Sequence, residues 1–160
     1  MKNKIISGIA ALSLISIMGT TSAFAVHKDV EVFEDINAGT HYTGHGVHAN
    51  EAFSGGIELT DSNKLQRVNT KKITVYVPIF GNYEGYVKTL SMNGRTDSGS
   101  TGTETESIVE NPSSVEDYYF NFNSTLMPLT ANDGSKYFSG KANIKVSFIH
   151  KTKHVDLKIK

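Results

Sequence analysis

The chain has 160 residues, with 16 basic and 16 acidic side chains, no Cys and no Trp. That length suits one domain around one core. The missing Cys excludes disulfides, thiol nucleophiles and cysteine metal sites, and the balanced charge gives no overall electrostatic case for a nucleic acid or an anionic membrane.

Residues 1–25 read as a signal peptide. Lys2 and Lys4 precede an uncharged, largely apolar run, Ile5 to Met18, and small residues then lead to Ala23-Phe24-Ala25. A positive start, a short apolar stretch and an A-x-A end form an export signal, and the run is short for a bilayer span. Without Lys2 and Lys4 the chain from Val26 on has 14 basic against 16 acidic residues.

Period-two alternation dominates the rest, the mark of half-buried strands. In Val26–Ile36, Val26, Val30, Val32 and Ile36 share one face. Ile57 and Leu59 follow within 55–60, then Ile73, Val75, Val77 and Ile79 within 72–80, and Tyr86, Val87 and Leu90 within 83–90. Tyr118, Phe120 and Phe122 form the next group, then Ile144, Val146 and Phe148, and last Val155, Leu157 and Ile159. Turns are expected at Phe80-Gly81-Asn82, Asn93-Gly94, Asn132-Asp133-Gly134 and Ser139-Gly140. The Gly-, Ser- and Thr-rich stretch 97–105 reads as a loop, and no segment sustains a helical period. Six to eight short strands predict an all-β fold, an immunoglobulin-like β-sandwich, with a small barrel as the competitor.

Candidate chemistry concentrates in His41-Tyr-Thr-Gly-His45-Gly-Val-His48, with Glu51 just beyond. Three imidazoles and a carboxylate suit tetrahedral zinc, or copper. Gly44 and Gly46 argue against a helix there, and the competing reading is a solvated connection with no cofactor. His150-Lys-Thr-Lys-His154 reads as a basic hairpin loop between strands. No nucleophile elbow, phosphate loop or calcium ladder is present, so no catalytic residue and no enzyme activity is expected. Tyr83, Tyr86, Tyr118, Tyr119, Phe120 and Phe122 read as mostly structural, although they would also suit a binding platform.

Residues 26–36 can pair within their own sheet or add to the sheet edge of a neighbouring subunit. The start Val26-His-Lys28-Asp29-Val30-Glu-Val32 resembles the V-x-K-x-[I/V]-x-V start of alpha-class chaperone–usher pilins, the colonisation-factor fimbrial subunits. Ile57-Glu-Leu59-Thr-Asp61 through Leu65, Lys72-Ile73 through Gly81, Lys136-Tyr137 through Gly140, and Ile144 through Phe148 resemble later strands of that family. Two departures stand out: the 36–55 connection is shorter than in those pilins, and Val155–Ile159 is an additional strand, placed to fill a groove of its own sheet.

The resemblance implies three parts: a signal peptide at 1–25, a donor-strand extension at 26–36 and a β-sandwich at 37–160. That sandwich would be incomplete until Val26, Val30, Val32 and Ile36 of a neighbour fill it. It further implies a structural fimbrial subunit that supports cell adhesion. Its partners would be neighbouring pilin subunits, a periplasmic chaperone and an outer-membrane usher, with no nucleic acid and no membrane span. The protein would pass through the periplasm to a cell-surface fimbrium. The alternative is a monomeric secreted β-sandwich binding module, with the histidine loop as its metal site.

Overall fold

The computed structural model describes residues 25–35, 47–96, 98–107, 112, 118–122 and 129–160. Residues 1–24, Ile36, His41, His45 and Asp97 lie outside the described residues, as does the side chain of His48.

The fold is an all-β sandwich of two antiparallel sheets. The smaller sheet holds β1 (Val26–Lys28), β3 (Ile57–Leu59), β4 (Leu65–Thr70) and β8 (Tyr118–Asn121), in that order. The larger runs β2 (Val30–Asp35), β10 (Ile149–Ile159), β9 (Tyr137–Val146), β6 (Gly81–Arg95), β5 (Ile73–Val77). A further strand, β7 (Thr101–Ser107), pairs with the distal half of β6.

Alternation explains the core. Val155 and Leu157 of β10 lie beside Val32 of β2 and Phe138 of β9, and all four are fully buried. Leu90 and Met92 of β6 continue that face, opposite Ala142 and Gly140. From the smaller sheet, Ile57, Leu59, Leu65, Val68 and Phe120 join the same cluster. Burying an aliphatic or aromatic side chain of this size stabilises the fold by about 1.5–3 kcal/mol.

The structure departs from the sequence expectations at several places. Leu65–Thr70 is a strand, although its apolar pair Leu65 and Val68 is three residues apart. The partner strand explains this. Glu58 faces Arg67 but Leu59 faces Leu65, so an irregular step between them returns the apolar side chains to the core. Thr101–Ser107 is a strand rather than a loop; it has no apolar face to announce it, and it is ordered by pairing with Thr89–Arg95. The first turn expected near Gly81 falls at Pro78–Phe80. The basic run His150–His154 belongs to β10, and the hairpin turns earlier, at Ser147-Phe148, where Ser147 takes φ 54°.

Asn93-Gly94 and Ser139-Gly140 are strand interiors, not turns. Their glycines allow close approach. A Cβ on Gly94 would stand 2.6 Å from the Thr130 carbonyl oxygen, and one on Gly140 would collide with the Ser91 carbonyl oxygen.

A short helix, α1 (Val47–Ala52), follows the glycines that argued against one. Six residues are too few to display a helical period. Ala49, Ala52 and the adjoining Phe53 are nevertheless buried in the core, and the helix rests against β2 and β5. A single turn at Asn132–Ser135, α2, precedes β9, with Asp133 and Gly134 at positive φ. Among the described residues no helix is long and apolar enough to cross a membrane.

Candidate functional site

The segment 26–35 serves both sheets. Val26, His27 and Lys28 pair with Leu59, Glu58 and Ile57 in the smaller sheet. At Asp29 the chain crosses over, and Val30–Asp35 then pairs antiparallel with His154–Ile159 in the larger one. The chain end fastens the crossing, because the Lys160 N–H donates to the Asp29 carbonyl at 3.1 Å. Gly56, at φ 70°, lets the smaller sheet close on the same segment; a Cβ there would stand 2.5 Å from the Lys28 carbonyl oxygen.

The expected donor residues divide accordingly. Val30 and Val32 are buried between the sheets, Val26 is 39% exposed, and Ile36 lies outside the described residues. The segment is thus paired inside its own chain, with Val155–Ile159 as its main partner.

Two side chains hold β2 from its sides. Asn50 of α1 works as a surrogate strand. Its Oδ1 accepts from the Val32 N–H at 2.9 Å, and its Nδ2 donates to the Val32 carbonyl at 3.0 Å. Both backbone groups that Val32 turns away from β10 are satisfied in this way, which blunts an edge that would otherwise template another strand. Farther along, Lys153 Nζ meets Glu34 Oε2 at 2.7 Å, with both side chains partly exposed. Sequence reasoning missed Asn50; a lone Asn in a short apolar stretch carries no signal for such a role.

Behind the site, the register of β6 slips between Val87 and Thr89. The phenol of Tyr118 receives the Val87 N–H at 2.6 Å. Burial pushes this phenol up to about 12, against weaker lowering by its hydrogen bonds. Tyr118 also stands edge-on to Phe120, with ring centroids 6.0 Å apart, while Tyr119 is half exposed beneath the Arg67 guanidinium. Tyr86, Phe120 and Phe122 are buried.

The histidine set is only partly placed. His41 and His45 lie outside the described residues; His48 and Glu51 sit on α1, Glu51 with an exposed side chain. Among the described residues there is no group of three or more His, Asp or Glu side chains that would hold a metal ion.

No family model, no curated protein and no solved structure matches this chain.

Proposed function

We propose that this protein is an exported structural subunit of a surface fimbrium, and that residues 26–36 are the element it exchanges with its neighbours. One observation supports the reading above all. The segment 26–35 spans both sheets and contributes Val30 and Val32 to the core through a continuous register on β10. Its removal would uncover the edges of β3 and β10 and open an apolar groove between the sheets. The same segment from a second copy would restore every one of those contacts. A strand given head-to-tail in this way generates an open filament. The export-type leader and the resemblance of Val26–Val32 to the start of alpha-class pilins favour the same reading. A periplasmic chaperone and an outer-membrane usher would then handle the subunit, and no catalysis is involved.

The in-chain pairing of β1 and β2 favours a second reading, a secreted monomeric binding module closed by its own first strand. One experiment separates the two. A variant chain begins at Asn37 and carries residues 26–36 after Lys160 through a short flexible linker. Because Ile159 pairs with Val30, that linker has only to turn back for the segment to lie on β10. The fimbrial reading expects the exported chain to form heat-resistant multimers and the rearranged chain to remain a monomer at every concentration. It also expects a chain lacking residues 26–36 to capture them as a free peptide. An exported chain that is always monomeric, with no peptide capture by the shortened one, would overturn the fimbrial reading in favour of the monomeric module.

A further inference from the structure

The larger sheet is longer than the smaller one that covers it. Beyond α1, its inner face continues with Val75 and Val77 of β5, Ile144 and Val146 of β9, and Ile149 of β10. Ile73 is buried, Val75, Val77, Ile144 and Val146 are half-buried, and Ile149 is exposed, so cover is lost steadily toward one end. A groove of about 350 Å³ runs over this face, bordered by Glu34, Lys151 and Lys153. At its end two hairpin tips meet around a smaller pocket of about 80 Å³, lined by Phe80, Tyr83, Phe148 and Ile149.

The tips are apolar where hairpin turns are ordinarily polar. Ile79 is 96% exposed, Phe148 84% and Phe80 71%. Ile79 also takes φ 75°, in the left-handed region that a β-branched residue strongly disfavours. No contact inside the fold requires an isoleucine there. An exposed, strained apolar residue on a turn points to a partner outside the chain.

Charge identifies that partner. The protein is near neutral as a whole, and around this end Lys72, Lys145, Lys151 and Lys153 stand against Glu34, Asp35 and Glu84. Glu84 is matched to Lys72 at 3.4 Å and Glu34 to Lys153 at 2.7 Å. Lys145 and Lys151 make no ion pair among the described residues. Apolar turns that project beyond a collar of cations fit the boundary between anionic headgroups and acyl chains.

We propose that the paired tips at Pro78–Phe80 and Ser147–Ile149 insert into an anionic lipid surface, with Lys145 and Lys151 against the headgroups. This goes beyond the fimbrial reading; of the residues named, only Glu34 and Asp35 belong to the segment that would be exchanged, and neither is set against the lipid.

The chain has no Trp, so Phe148→Trp places a single reporter at the tip. The exported protein with this substitution is mixed with vesicles of phosphatidylcholine alone, or with a third of the lipid replaced by phosphatidylglycerol. Insertion predicts a blue-shifted emission on the anionic vesicles only, quenched by brominated acyl chains. Cosedimentation should fall at least tenfold for a Phe80→Ser, Phe148→Ser double variant. It should fall about fivefold for each lysine reversed in Lys145→Glu and Lys151→Glu. Circular dichroism confirms that these surface variants fold. Equal binding to neutral vesicles would overturn the anionic assignment, and no shift on either vesicle would overturn insertion. A shift that grows with protein concentration and needs no lipid would assign the face to a second copy of the chain and overturn the proposal. None of these readouts depends on strand exchange, so failure here leaves the fimbrial reading standing, and the reverse also holds.

Discussion

Asn50→Ala tests whether β2 is held as a separable element. Alanine suits α1 at least as well as asparagine, so the helix itself is not the target. The substitution removes two hydrogen bonds, at 2.9 and 3.0 Å, and leaves both outward backbone groups of Val32 to water. At about 0.5–1.5 kcal/mol net for each bond, the loss is about 2 kcal/mol. That corresponds to roughly a thirtyfold rise in the opening equilibrium of β2, since about 1.4 kcal/mol is a factor of ten. Native-state amide exchange reads this directly. The amides of β2 should exchange about thirtyfold faster, while those of the β6–β9 pairing in the middle of the sheet change far less. If β2 and β9 accelerate by the same factor, β2 opens only when the whole domain unfolds. If β2 does not accelerate at all, the Asn50 bridge contributes nothing. Either result refutes the idea of an independently releasable first strand.

Tyr118→Phe removes the acceptor of the Val87 N–H and should cost about 1–3 kcal/mol by denaturant titration, because a buried donor is left without a partner. The same phenol sets a pH limit. Its folded value is raised to about 12 from about 10 in the unfolded chain, so its contribution is complete below pH 10 and is lost as pH rises toward 12. Wild-type stability should therefore decline more steeply than that of Tyr118→Phe across that window, and parallel profiles would contradict the assignment. Gly140→Ala forces a methyl against the Ser91 carbonyl oxygen in the central β6–β9 pairing, and a loss of about 3 kcal/mol or more should appear as a large fall in melting temperature.

Strands that bury one face were legible from the residues. Ile73, Val75 and Val77, or Ile57 and Leu59, alternate cleanly because one side of each strand meets the core. Where both faces are polar, as in Thr101–Ser107, nothing in the order of residues separates a strand from a loop; only the partner β6 decides. The start of β10 was hidden differently. Its residues 150–153 pair with β9 alone, since β2 reaches only as far as His154, so one flank is free to be basic. At the candidate site, the apolar positions Val30 and Val32 were visible. The crossing at Asp29 was not, because Val26 and Val30 keep the same parity through it and a period-two pattern does not say to which sheet a residue belongs. Asn50 escaped for a related reason: its role depends on a strand that is distant in sequence.

The register that sets Ile159 beside Val30 and His154 beside Asp35 also has a mechanical corollary. Force applied at Val26 and Lys160 would act at the same end of an antiparallel pair. It would peel the two strands apart one bond at a time, at low load. Force that enters at Asp35 and leaves through the body of the larger sheet runs along the strand axis instead. It loads all the bonds between β2 and β10 together, in shear, and the pair resists until they fail as a group. The same six residues are thus a weak seam in one pulling direction and a strong clamp in the other.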